Sequence, residues 1–405
     1  MVPNGWKQSE LGTVFDFKNG LNTDKEKYGR GYKFVNVMDV FGNSILTEEK
    51  IIGRVEVLEK QLKEYQLKYG DVLFNRTSET FDEIAMSAVY LDNVVATFGG
   101  FVIRGRPKVD DVLPDYSVYL FQSDDYRNQV IKLGQGAVRA NIGQKDLAIV
   151  NILLPPQQEQ QKIAQILSTW DKGIAVTEQL LANSQQQKKA LMQQLLTGKK
   201  RLLEENGVRF EGEWRKQRLG SLLKEGKERN KDNSISRVLS VTNHSGFVLP
   251  ENQFSKRIAS DEVSHYKVVR KGQYGYNPSR INVGSFARLD QFSEGLLSPM
   301  YIVFSIDSVE LDSDFFLYWM QSNEAQQRIN NSTQGSVRDS VGFDAICSFL
   351  FKMPSLEEQK KISAVISASL QEIKLLETKL DYLQQEKKAL MQQLLTGKRR
   401  VKIAV

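Results

Sequence analysis

Few residues of this 405-residue chain could carry out chemistry unaided. Histidine occurs twice, at His244 and His265, and cysteine once, at Cys347. Such a set cannot build a zinc cluster. A single thiol cannot close an internal disulfide, which predicts a reducing, cytoplasmic setting. No G-x-x-x-x-G-K-[ST] phosphate loop occurs; "LTGKK" from Leu196 and "LTGKR" from Leu395 lack the earlier glycine and the hydroxyl residue, and read as helix ends. "YNPSR" at Tyr276 is close to the Asn-Pro-Pro-aromatic tetrapeptide of amino-methylating enzymes. Its fourth position, however, is Arg280 and not an aromatic that could stack on an extruded base. No glycine-rich strand-to-helix turn for a methyl donor accompanies it. The chain by itself is therefore expected to be non-catalytic.

The elements that position these residues are duplicated. "KKALMQQLLTGK" runs from Lys188 to Lys199 and returns unaltered from Lys387 to Lys398, an offset of 199 positions. At that offset "LPPQQEQQKIAQILS" (from Leu154) lies over "MPSLEEQKKISAVIS" (from Met353), and "GQGAVRANIG" (from Gly134) over "TQGSVRDSVG" (from Thr333). Further upstream the likeness thins, although "GWKQSELG" at Gly5 pairs with "EWRKQRLG" at Glu213, and "YGDVLFNRTS" at Tyr69 with "KGQYGYNPSR" at Lys271. The order is variable, constant, variable, constant. The length suits two or three domains. With 40% hydrophobic and 26% charged residues and no apolar run of membrane-span length, an ordinary soluble protein is expected. The start, MVPNGWKQSELG, lacks a signal-peptide pattern. A net charge of +6 is only a weak pointer to a polyanionic partner.

The constant segments predict long helices. Pro155 and Pro354 suit a first turn, Glu159 and Glu358 oppose the helix dipole, and Gly198 and Gly397 supply the stops. The basic tails after those glycines are expected to neutralise the helix C-termini. A 4-3 spacing runs through Ile163, Leu167, Trp170, Ile174, Thr177, Leu181, Ser184, Lys188, Leu191 and Leu195. It returns through Ile362, Ile366, Ser369, Ile373, Leu376, Leu380, Leu383, Lys387, Leu390 and Leu394. Seven of the first ten and eight of the second are apolar, enough for a coiled-coil seam. Two rods of roughly 60 Å, each needing a partner for its stripe, are expected to pair with each other, antiparallel if a two-fold axis relates the halves. The expected class is α+β: two mixed α/β domains at opposite ends of an antiparallel two-helix coiled coil, with a pseudo-two-fold internal repeat. The expected boundaries are 1–153 and 201–352 for the domains, 154–200 and 353–400 for the helices. "YKFVNVM", "FVIRGR", "NILLP", "YIVFSI" and "FLFKMP" read as strands, and "DYSVYLFQSDDYRNQVIKL" and "SDFFLYWMQSNEAQQRI" as one helix each.

The two "[LM]P…EQ.KI" openings, the repeated "KKALMQQLLTGK" endings, the "W….LG" starts at Trp6 and Trp214 and the "QG.VR" turns occur twice in the same order. In this the chain resembles the specificity subunits of type I restriction–modification enzymes. The resemblance implies that each globular domain is a target-recognition domain reading one half of a bipartite sequence in double-stranded DNA. It implies that the helices set the spacing and dock two methyltransferase subunits, with motor-nuclease subunits possible in addition. S-adenosylmethionine, ATP and Mg would belong to those partners, and this chain would hold no cofactor. Base edges would then be read from polar, glycine-flanked loops: Asn75, Arg76, Thr77, Ser78 and Thr80; Arg139 and Asn141; Tyr276, Asn277, Ser279, Arg280 and Asn282; Arg338 and Ser340. Seam packing does not explain the identity of Lys188, Gln193, Gln194 and Thr197 with Lys387, Gln392, Gln393 and Thr396, so these are the expected docking residues. The competing expectation is a coiled-coil protein-interaction adaptor without a DNA role.

Overall fold

The computed structural model describes residues 2–108, 110–136, 138–250, 262–333 and 340–403. The chain forms two compact units, Met1–Glu178 with Thr378–Val405, and Gln179–Glu377. Both boundaries fall inside the longest helices, Gln157–Leu195 and Leu356–Leu395. Each unit thus holds one globular domain, the start of one long helix and the end of the other. None of the helices among the described residues is long and apolar enough to cross a membrane.

In the first unit a five-stranded sheet has the spatial order Phe15–Asn19, Val102–Pro107, Val72–Asn75, Ser87–Tyr90 and Ile45–Leu46, antiparallel except for its last pair. Side chains alternate between faces along a strand, and here both faces are covered. Phe74 and Ile103 enter one core with Tyr116, Phe121 and Tyr126; Leu73 and Val102 enter another with Tyr90 and Phe98. That is why "DVLF" reads as an unbroken apolar run. The second unit repeats the order with Leu223–Gly226, Ile302–Ile306, Tyr274–Tyr276 and Phe286–Arg288. Its Tyr274 ring stacks against Phe286 and Phe304 at 5.6 and 5.1 Å. In both units a short antiparallel pair, Lys7–Glu10 with Asn151–Leu154 and Arg215–Arg218 with Leu350–Met353, joins the start of the domain to its end. The "LG" that follows the first strand is structural. Leu11 and Leu219 are wholly buried, while a Cβ on Gly12 or Gly220 would stand 2.8 Å from that of Ala148 or 3.1 Å from that of Cys347.

Two expectations are corrected. Each stretch read as one helix is two: Pro114–Leu120 and Asp124–Leu133 in the first unit, Ser313–Met320 and Asn323–Thr333 in the second. Ser123 and Ser322 break the run because their hydroxyls accept from the amides of Tyr126 and Ala325, starting a new helix. "YKFVNVM" likewise divides between a strand ending at Val35 and a helix, Val37–Gly42, capped by Asn36 and Asp39.

The long helices start just past their prolines, at Gln157 and Leu356. All twenty seam positions are buried or half-buried, whereas Val176, Leu180, Leu375 and Tyr382 outside the seam are exposed. In the first unit Ile163 and Leu167 share a core with Leu394 and Leu395, and in the second Leu195 and Leu196 share one with Ile362 and Ile366. The start of each helix therefore packs on the end of the other, so within both units the two helices run antiparallel.

The "EQ" of each opening has a mechanical role. The buried Gln160 donates to the carbonyls of Asp111 and Pro155 and accepts from the Leu113 amide; Gln359 does the same with Glu310, Pro354 and Asp312. One side chain thus satisfies three backbone groups where domain and helix meet. The glutamates just before them hold the basic tails. Gly198 and Gly397, at φ +70° and +69°, end the helices in the left-handed conformation that favours glycine. Beyond them Arg201 makes a two-pronged ion pair with the buried Glu358 at 2.6 and 2.8 Å. Arg400 pairs in the same way with the buried Glu159, which also accepts from the Trp6 indole at 3.2 Å. These arginines neutralise a carboxylate in the first turn of the other helix, not the end of their own as the sequence suggests.

Candidate nucleic-acid interface

In the first unit the strand Val72–Asn75 runs into the loop that carries Arg76 to Thr80. Thr77–Ser78 forms a short ladder with Ala140–Asn141, so two loops separated by more than sixty residues in sequence become one surface. The Arg76 carbonyl accepts from the Ile142 amide at 3.0 Å, and the second loop closes on itself where Gln135 and Asn141 exchange backbone bonds at 2.9 and 2.7 Å. Gly136 is needed there: its φ is +123°, and a Cβ would lie 2.1 Å from the Arg139 carbonyl oxygen. Thr80, Arg139 and Asn141 are exposed, Arg76 and Thr77 half-exposed. Asn75 and Ser78 instead turn inward. Asn75 is wholly buried, donating to the carbonyls of Thr77 and Glu83, and the Ser78 hydroxyl donates to Glu83 at 2.8 Å. They set the shape of the loop and present no edge to a ligand. Arg104, on the neighbouring strand, is also turned into the core, over the Phe98 ring at 5.7 Å; burial first, then the nearby Arg106, lowers its pKa.

The second unit repeats the junction. The Val341 amide donates to the Pro278 carbonyl at 3.0 Å, at the place held by Ile142 and Arg76 in the first. Ser279, Arg280 and Asn282 are exposed on the loop and Ser340 is half-exposed beside it. Asn277 braces the turn by accepting from the Ser279 amide at 3.0 Å. Tyr276 is a core residue, with no exposure and its hydroxyl donating to the Val341 carbonyl at 3.2 Å; burial raises its pKa far above the ordinary phenol value. It cannot touch a base without unfolding the sheet. Arg338 lies outside the described residues.

The repeated helix residues line a groove in each unit. In the second it measures about 1310 Å³ and is walled by Lys188, Gln193, Gln194 and Thr197 together with Met192, Gln321 and Ile373. In the first it measures about 390 Å³ and takes Lys387, Gln392, Met391, Gln122 and Ile174, the counterparts at the same offset. Gln393 is exposed outside that groove, and the hydroxyls of Thr197 and Thr396 donate to the carbonyls of Gln193 and Gln392, closing their own helices. Two exchanges separate the linings, Asp124 for Asn323 and Asp171 for Leu370, and the second changes the charge beside the repeated lysine. Asp171 holds the Lys387 ammonium at 2.5 Å and accepts from the Tyr119 hydroxyl at 2.7 Å, whereas Leu370 offers Lys188 no such charge.

Sequence reasoning missed the Glu159–Arg400 and Glu358–Arg201 pairs and the Gln160 and Gln359 clamps, although the repeat carries the signal: the glutamate, the glutamine and the arginine each recur at the offset of 199.

Residues 3–183 match the family model described as a type I restriction modification DNA specificity domain. The chain is 23% identical to the candidate specificity subunit of the type I restriction enzyme MjaX from Methanocaldococcus jannaschii, over 99% of this chain and 95% of that protein. It is 23% identical to the StySPI specificity subunit of Salmonella potsdam, over 89% of this chain and 81% of the relative. Among solved structures, the type I restriction-modification S subunit from M. genitalium shares the fold, with a TM-score of 0.56, 14% identity and 98% of each chain covered.

Proposed function

We infer that this chain is a DNA-specificity subunit of a type I restriction–modification system, and that each domain reads one half of a split sequence. One observation supports this reading: in the first domain two polar loops, distant in sequence, converge beside one sheet strand, and in the second the equivalent backbone bond, from Val341 to Pro278, ties the described end of the later segment to a different loop sequence. Different readers on a common frame are what a bipartite site requires. An adaptor without a DNA role would have no need to repeat that bond beside two different polar loops. Arg76, Thr77, Thr80, Arg139 and Asn141 in the first domain, and Ser279, Arg280, Asn282 and Ser340 in the second, are the side chains available to base edges and phosphates.

The chain contributes position, not bond-making. The matched grooves suit two copies of one methyltransferase subunit, since identical partners require like surfaces. S-adenosylmethionine, and ATP with magnesium where a motor-nuclease subunit joins, would be held by those partners. The antiparallel helices set the distance between half-sites, expected to fall on one face of the duplex about one helical turn apart, roughly 34–36 Å.

The test is an exchange of residues 1–153 for those of a relative, followed by mapping of methylated adenines. One half of the methylated sequence should change and the other should persist. A change in both halves, or in neither, would refute modular reading.

A further inference from the structure

A closed turn with an exposed apolar side chain stands beside the strand-end loop in both domains. In the first domain the turn Gly99-Gly100-Phe101-Val102 is closed by the Val102 amide donating to the Gly99 carbonyl at 2.9 Å. In the second, Ser298-Pro299-Met300-Tyr301 is closed by the Tyr301 amide donating to the Ser298 carbonyl, also at 2.9 Å. Each turn feeds the strand beside the one that carries the reading loop. Val102 pairs with Asn75, and one step further Arg76 donates its amide to the Phe101 carbonyl at 2.9 Å. Ile302 pairs with Tyr276, which puts Met300 across from Pro278, the counterpart of Arg76. Phe101 and Met300 thus occupy the same place, the third position of a closed turn against the reading loop. They are 63% and 64% exposed.

Single exposed apolar side chains are ordinary on protein surfaces. Two large ones at the same turn position, in domains whose sequences differ there, are a different matter. The backbone beneath Phe101 is also tightly held: a Cβ on Gly100 would meet the Asn22 side chain at 1.9 Å, and one on Gly20 the Gly99 carbonyl oxygen at 2.0 Å. Phenylalanine and methionine are among the residues that DNA-bending proteins insert between base pairs. We propose that Phe101 and Met300 are wedges for double-stranded DNA, each entering a base step of its own half-site and unstacking it while the adjoining polar loop reads the edges. A loosened step also lowers the cost of extruding a neighbouring base toward a methylating partner. This inference rests on the DNA-recognition role proposed above.

The test uses the methyltransferase complex assembled on the full chain, with a duplex carrying the site mapped from genomic methylation, and reads thymine reactivity to permanganate together with affinity. Wild type should show a hyperreactive step in each half-site. Phe101→Ala should abolish the one in the first half alone and weaken binding about tenfold; Met300→Ala should do the same in the second. Phe101→Leu and Met300→Leu, which keep an apolar wedge, should retain most of both signals. A wild-type complex that binds with every step stacked overturns the wedges and leaves DNA recognition standing. Alanine variants that still unstack both steps, or that lose only subunit assembly, overturn them as well. A wild-type complex that does not bind the mapped duplex removes the recognition role and the wedges together.

Discussion

Replacing Arg201 with alanine isolates a charge inside the second unit. Glu358 has no solvent exposure, its carboxylate accepts from the Arg201 guanidinium at 2.6 and 2.8 Å, and the arginine side chain is 20% exposed. Without the arginine the carboxylate keeps only the field of its helix N-terminus, worth about 0.3–1 kcal/mol at most surface sites. Stranding one member of a buried pair typically costs about 3–5 kcal/mol. The partial exposure of Arg201 lets water approach, which points to the lower end, about 3 kcal/mol. The carbonyls of Gly212 and Glu211, which also accept from Arg201, can turn to solvent and add little. In urea unfolding of the full chain, a loss of this size lowers the midpoint by about 1 M or more at an m-value of up to about 3 kcal/mol/M. Hydrogen exchange should localise the loosening to the segment after Gly198 and the start of the second long helix. The Arg201→Met, Glu358→Gln double variant carries no stranded charge and should recover most of the loss. A single-variant effect below about 1 kcal/mol, the range of an exposed ion pair, or a double variant as damaged as the single, would refute the reasoning.

Four further variants have expected outcomes. Arg400→Ala should cost less than Arg201→Ala in the same unfolding assay, because Arg400 is more exposed and the Trp6 indole still donates to Glu159. Asn75→Ala should lower thermal stability by about 1–3 kcal/mol, since it orphans the buried loop backbone. Arg76→Ala, by contrast, should leave stability unchanged and weaken specific DNA binding by about 1–3 kcal/mol, a contrast that thermal melts and titrations of the assembled complex resolve. Asp171→Leu should free Lys387 and make the first groove resemble the second; native mass spectrometry should then show the partner-to-chain ratio reaching two at lower partner concentration, and an unchanged profile would show that the lysine is not used in docking.

Much of this architecture is legible in sequence because it is written in periodicity and repetition, which survive without coordinates. The 4-3 spacing of apolar residues identifies the long helices and their seam, and the exact return of "KKALMQQLLTGK" marks a surface required twice. The loops are legible as loops, since glycine beside polar residues signals turns. What fails is the fate of individual side chains. Asn75 and Tyr276 have the chemistry to contact a base, yet both are wholly buried, because the last residue of an inner strand points wherever the pleat directs it. The basic tails are read as caps of their own helices because their partner glutamates lie 157 and 241 residues away.

The sequence by itself determines two long amphipathic helices with like faces that pair with each other, because an apolar stripe of that length must be covered and the repeat supplies a matching one; their antiparallel direction is read from the cores they share. Only tertiary structure decides which polar residues face outward, which loops meet, and which arginine neutralises which glutamate. Those outcomes depend on strand register and on contacts between distant segments, and no local pattern of residues encodes either.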